Sequence, residues 1–276
     1  MATLGQIARP EDLKPATVAF NLFVMLGFGL GPLALALARS AAGWPGVFAT
    51  AALLFIAASF ALLAVRTRAS GRAHAPLRVE IGEGVAAVVA RPLLAQLMLA
   101  AMAGYLAMGP MTVLLPKLAA TQLGLSELQR GAFLGTLALA LIGGGLLALA
   151  LQRRLHHGRT IFVATALAGA GLAALGAVHE PRAAVALLGA VGVAGGLALS
   201  LIVAGIQTAA PDALRGRIVA MYTIVSQVVP AASGVTAGAL LQRWGVGVAL
   251  QACGAALVIA MAAAAFRMTA LRRHAG

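Results

Sequence analysis

Polar and apolar positions fall in long blocks along this chain rather than in short periods. Stretches free of Asp, Glu, Lys and Arg run over 15–38, 40–65, 92–116, 131–152, 160–179, 183–211, 218–242 and 244–266, each at least 20 residues long. About 20 apolar residues carry one helix across the ~30 Å of hydrocarbon in a bilayer. The runs are continuously apolar, not alternating with period two, which excludes a membrane β-barrel. Backbone polar groups in lipid have to bond within their own segment, so each run should be a helix. The pattern predicts an all-α integral membrane fold of eight transmembrane helices.

One connection is longer than the others and divides the chain. Residues 1–66 hold two spans, 67–91 form a linker, and 92–276 hold six spans. Within the linker Leu77, Ile81, Val85 and Val88 recur at helical spacing, with Arg78, Glu80, Glu83 and Arg91 mostly off that line. This predicts a short amphipathic helix on the membrane surface. Pro92 marks the start of the next span. Ser126-Glu127-Leu128-Gln129 has the form of a capping box opening the fourth span.

Composition narrows the function classes. The chain is 62% hydrophobic and 10% charged, against about 25% charged residues in a soluble domain, so a soluble enzyme is excluded. The net charge of +13 would suggest nucleic acid if it were clustered, but the basic residues lie between the runs. Fifteen of the 20 fall on one side of an eight-span topology: Arg9, Lys14, five arginines of 66–91, Arg153, Arg154, Arg159, Arg215, Arg217, Arg267, Arg272 and Arg273. Arg39, Lys117, Arg130, Arg182 and Arg243 fall on the other. The positive-inside bias then predicts both termini in the cytoplasm. Trp44 and Trp244 lie at the opposite face, where interfacial anchors sit.

Candidate chemistry inside the membrane is sparse. All seven acids (Glu11, Asp12, Glu80, Glu83, Glu127, Glu180 and Asp212) and all five histidines lie in loops or at span ends. No intramembrane proton carrier, hydrolase triad or metal-ligand cluster is evident. Neither lysine follows a glycine, so there is no phosphate-binding loop of the ATPase type. Cys253 is alone, which leaves no disulfide and no thiolate metal site. Glycines at 143–145, 189, 192, 195 and 196 predict close helix packing. Polar residues within the spans include Asn21, Tyr105, Thr112, Ser200, Gln207 and a stripe on the seventh run: Tyr222, Thr223, Ser226, Gln227 and Ser233. Such residues either bond to a neighbouring helix or line a water-filled cavity. Pro110 and Pro230 should kink their helices.

Three stretches resemble the major facilitator superfamily, and most closely its bacterial drug- and siderophore-exporter branch, the enterobactin-exporter-like proteins. Pro10-Glu11-Asp12-Leu13, Asn21 and Gly27-x-x-x-Gly31-Pro32 look like the fifth span and the core of its antiporter motif, with Leu35-Ala36 where a glycine pair would follow. Leu123-Gly124-Leu125-Ser126 through Gly135 and Gly143–Gly145 look like the approach to span eight. Pro211-Asp212-Ala213-Leu214-Arg215-Gly216-Arg217, running into Met221 and Tyr222, looks like the loop between spans ten and eleven. The loop around Arg153 and Arg159 is a weaker relative of the family's basic gating loop and lacks its acid.

The resemblance implies a partial major facilitator-type bundle holding spans five to twelve of twelve, an N-terminally truncated chain. It implies a secondary active exporter of small organic molecules in the bacterial inner membrane, working by alternating access without a cofactor or metal. Asn21, Tyr105, Gln207, Tyr222 and Ser226 become substrate-facing, Gly27, Gly31 and Pro32 form the antiporter-like helix motif, and Arg153, Arg159, Arg215 and Arg217 stand at the cytoplasmic gating loops. The implied partners are the lipid bilayer, a small-molecule substrate, and the missing N-terminal helices or another copy of the chain, with no nucleic acid. The alternative is a non-transporting membrane protein, either a remnant or a partner subunit of another carrier.

Overall fold

The computed structural model describes residues 13–63, 77–151, 156–211 and 214–272. Its helices are α1 (Leu13–Leu63), α2 (Leu77–Val89), α3 (Pro92–Thr121), α4 (Glu127–Leu151), α5 (His157–Leu175), α6 (Pro181–Ala209), α7 (Arg215–Arg267) and the single turn α8 (Thr269–Arg272). Six of them are long and apolar enough to cross a membrane. With 51 and 53 residues, α1 and α7 would each reach about 75–80 Å as straight rods, far beyond the bilayer. Each is broken once. The break in α1 is at Ala42 and Gly43, and the one in α7 is at Gly245, with φ of +63° and +79° at the two glycines. Only glycine takes that conformation without a Cβ penalty. The six helices thus supply eight crossing-length arms, matching the eight apolar runs. The breaks fall at these glycines, while Pro110 and Pro230 sit inside helices.

The chain forms two compact units. One comprises the described residues up to 63 together with 126–138. Here Arg39 sits 2.7 Å from a Glu127 carboxylate oxygen and its guanidinium lies 4.4 Å from the centre of the Trp44 ring. The capping box is present: the Ser126 amide donates to Gln129 Oε1 at 2.9 Å, and the Gln129 amide reaches the Ser126 hydroxyl at 3.5 Å. The arm 44–63 leaves Phe48, Phe55, Phe60 and Leu63 more than 65% exposed, an apolar surface that water would not tolerate and that lipid or further helices would cover.

The other unit holds 77–125 and 139–272, and its contacts fix the direction of every helix. Leu97 of α3 faces Gly205 of α6, and Gly104 faces Leu199, so α3 and α6 run antiparallel. Gly145 meets Ser200 and Gly196 meets Leu141, so α4 and α6 run parallel. The arms of α7 double back on each other. Met221 lies against Gly84 near the start of the first arm, and Gly247 lies against Gly176 just after Gly245. The chain then returns, so that the Leu271 amide donates to Gln96 Oε1 at 2.7 Å near the start of α3. One end of this unit therefore gathers Arg91, Arg159, Arg217, Arg267 and Arg272, and the other gathers Lys117, Arg182 and Arg243. That is the segregation that the alternating topology requires.

Local chemistry sets the helix ends. Glu180 caps α6 by accepting from the amides of Arg182 (3.0 Å) and Ala183 (2.5 Å), with Pro181 at the first helical position. Gln122 donates to the Gly176 and Val178 carbonyls at 3.3 and 2.8 Å, tying the end of α3 to the end of α5. The linker forms the helix α2 over Leu77–Val89. It buries Gly84, Ala87 and Val88 and leaves Val85 and Val89 exposed, because the small face fits closer to α7 than a face carrying Val85 could. Leu77 and Ile81 form part of the helix, with side chains outside the described set.

One buried group in this unit is unsatisfied. Thr165 is 3% exposed and its hydroxyl has no partner among the described residues. Threonines 121, 136, 160, 208 and 223 each donate to the carbonyl four residues back, whereas Thr165 does not. It lines a cavity of about 30 Å³ with Gly104, Met111, Val191 and Leu257. An unpaired buried hydroxyl costs ~1–3 kcal/mol, so Thr165→Val, which keeps the shape, should stabilise the unit by about 1 kcal/mol. A higher thermal midpoint in detergent is the expected outcome; a lower one would mean the hydroxyl holds a buried water.

Candidate functional site

The polar stripe on α7 meets α3 about halfway along α3. Tyr105 lies 13 residues into α3, about 20 Å along its axis. Its hydroxyl is 2.6 Å from that of Tyr222 on α7, with ring centroids 5.8 Å apart and tilted by 59°. Ser226, one turn further along, donates to the Thr223 carbonyl at 2.7 Å. Tyr105, Tyr222 and Ser226 are half-buried, and their neighbours Thr223 and Gln227 are exposed. Two phenols, two aliphatic hydroxyls and a primary amide thus share one patch, 13 residues into α3 and seven into α7, with no carboxylate beside them. Such a patch can donate and accept hydrogen bonds and stack aromatic surface, but it carries no fixed charge.

Other residues from the same spans fall elsewhere. Ser233 is 6% exposed, donates to the Pro230 carbonyl at 3.2 Å and packs on Gly109 of α3, so it serves the helix crossing. Gln207 is exposed two residues before the end of α6, nearly three turns of α3 away from Tyr105 towards the basic end. Asn21 lies in α1, with its side chain outside the described set. Gly27 and Gly31 also lie in α1, and a Cβ at either would meet nothing within 4 Å. Pro32 is helical, with its side chain outside the described set.

At the basic end, Arg159 is exposed in the first turn of α5, and Arg215 opens α7, its side chain not described. Arg153 lies outside the described residues. Arg217 pairs with Glu83 of α2. The pair uses one of the guanidinium's two terminal nitrogens. Sequence reading passed over this pair because the two residues are 134 positions apart. The one available signal was that Glu83 lies off the apolar line of a basic linker. Among the described residues no group of three or more His, Cys, Asp or Glu could hold a metal.

The family model described as Major Facilitator Superfamily matches residues 1–234. The chain belongs to the major facilitator superfamily. This match spans most of the chain and agrees with the all-helical fold and its membrane-length helices. The protein is therefore a multi-pass membrane transporter of the superfamily, and the Tyr105–Tyr222 patch is to be read on that basis. A search of curated proteins found no match.

Proposed function

We propose that this major facilitator protein is a secondary carrier that moves small organic molecules out of a bacterial cell across its inner membrane, with both termini in the cytoplasm. The observation that carries the reading is the uncovered polar face of α7. Thr223 and Gln227 are exposed on a helix buried in the membrane. Polar side chains there belong against water or protein, not lipid. The hydrogen-bonded Tyr105–Tyr222 pair beside them supplies aromatic surface and hydroxyls for an uncharged or cationic lipophilic molecule. The absence of carboxylates in the apolar runs argues against a proton carrier within these spans, so the coupling group belongs to other helices.

Alternating access needs two bundles that rock against each other. Eight crossings furnish one six-helix bundle and two further helices, so transport calls on helices beyond these eight. In proteoliposomes with an imposed proton gradient, the 276-residue chain alone should give no flux of tetraphenylphosphonium above that of empty vesicles. The same chain in detergent should still bind lipophilic organic molecules saturably. Gradient-driven flux by the chain alone would overturn the need for further helices. Failure to bind any of a panel of neutral and cationic lipophilic compounds would overturn the carrier reading and favour a non-transporting partner protein.

A further inference from the structure

The first arm of α7, residues 215–229, is attached to α3 as a lever is attached to its post. Where the arm ends, the two backbones touch: a Cβ at Gly109 would lie inside 3.0 Å of the Gly234 amide and the Pro230 carbonyl oxygen. That crossing cannot slide or widen without loss of backbone contact. Pro230 also has no amide to bond the Ser226 carbonyl four residues back, which leaves a soft point in the helix beside the crossing. Nearer the start of the arm, the hydrogen bond between Tyr105 and Tyr222 joins it to α3 again.

At the basic end a third helix spans the same two. Among the described residues α2 touches α3 and α7 and no other helix. Only Ala90 and Arg91 separate it from α3, and Arg91 is extended, with φ of −124° and ψ of 103°. The helix is thus hinged on the start of α3. Its hold on α7 is made by Glu83, which pairs with Arg217, and by Gly84, which lies against Met221 beside Tyr222. Arg217 stands five residues before Tyr222, about 7.5 Å of helix rise. Neither contact is a strong one. Both charged side chains are half-exposed, and an ion pair so placed shifts an equilibrium by about fivefold at most. The Met221 side chain is unbranched and can turn aside. A hold of this kind releases readily, whereas the crossing at Gly109 does not.

We propose that α2 is a strap that keeps the first arm of α7 closed on α3. Its release lets the arm swing about Pro230 and parts Tyr222 from Tyr105, which opens the polar patch towards the basic end. The strap's role as a gate rests on the carrier reading, but the movement itself needs no ligand. Its lock is a water-exposed ion pair, so salt weakens it. A helix that merely packed on α7 would respond to neither salt nor the order of the two charges.

The test is the distance between spin labels on cysteines at positions 99 of α3 and 220 of α7, both exposed. It uses the full chain with Cys253→Ser, in nanodiscs and without ligand. The parent protein should give one dominant distance, and Glu83→Arg should raise the share of a longer one about fivefold. Combining Glu83→Arg with Arg217→Glu, which exchanges the charges, should restore the parent distribution. Gly84→Leu keeps both charges and wedges Met221 away, so it should also open the arm. Gly82→Ala, where an added Cβ meets nothing within 4 Å, should not. About 1 M salt, with a screening length of ~3 Å, should raise the longer component in the parent and leave Glu83→Gln unchanged. Tetraphenylphosphonium should associate about fivefold faster with Glu83→Arg. Distances that shift as stated in a chain that binds no cation would support the strap and overturn the carrier reading. Distances unchanged in both Glu83→Arg and Gly84→Leu, or a longer component that the charge exchange does not remove, would overturn the proposal.

Discussion

Gly144→Ala and Gly196→Ala are each expected to destabilise the six-helix unit by about 3 kcal/mol or more, enough to abolish a folded species in detergent. At Gly144 an added Cβ would meet the Val193 carbonyl oxygen and the Leu197 amide. At Gly196 it would meet the backbone of Leu141, in both cases inside the 3.0 Å that real Cβ atoms keep. The obstructing atoms are backbone of a neighbouring helix, so no side-chain rotation can relieve them and α4 and α6 would have to separate. Separation would forfeit dispersion contacts along the crossing, which is what holds helices together in lipid. Gly143 is the internal control: nothing lies within 4 Å of a Cβ there. Gly143→Ala should be neutral or slightly stabilising, through the ~1 kcal/mol helix preference of alanine over glycine. Thermal unfolding of the three variants checks this, and equal midpoints for Gly143→Ala and Gly144→Ala would refute the backbone-contact account.

The second large effect concerns binding. Tyr105→Ala and Tyr222→Ala should each weaken the binding of a lipophilic organic cation at least tenfold, about 1.4 kcal/mol or more. Each removes one aromatic wall and leaves the other phenol without its partner. Phenylalanine separates the two contributions. Tyr105→Phe and Tyr222→Phe keep the rings and lose the 2.6 Å hydrogen bond, so they should alter affinity less than alanine does. In a double-mutant cycle on stability the two Phe substitutions should couple by about 1 kcal/mol, as expected for one hydrogen bond. Binding unchanged in both Ala variants would reduce the pair to helix packing.

The crossings were readable from the chain because an apolar run of bilayer length has one stable conformation in lipid. The cap at Ser126 and Gln129 was readable because it closes over four residues, and its two bonds are present. The breaks were half readable. Arg39 and Arg243 interrupt the apolar runs, but the turn itself occurs at Gly43 and Gly245, where the backbone can take positive φ. The candidate site was legible only as a stripe on α7. That Tyr222 bonds Tyr105 depends on how α3 crosses α7, and that crossing is set by Gly109 lying against Ser233 and Gly234. The face of α2 that meets α7 was not legible for a related reason. Hydrophobicity favoured Val85, but close approach to α7 favours the small Gly84 and Ala87. Thr165 gave no signal at all, since a threonine in a helix ordinarily bonds its own backbone.

The claim on which the function rests is that the polar face of α7 borders water rather than another helix. Cysteine accessibility measures this directly. In a Cys253→Ser background, single cysteines at 223, 226 and 227 should react with a membrane-impermeant thiol reagent, and a bound lipophilic cation should slow the reaction. Cysteines replacing Ile224 and Val228, which are 50% and 60% exposed on the apolar side of the same helix, should stay unreactive because lipid covers them. Silence at 223, 226 and 227, or equal reactivity at all five positions, would contradict the account.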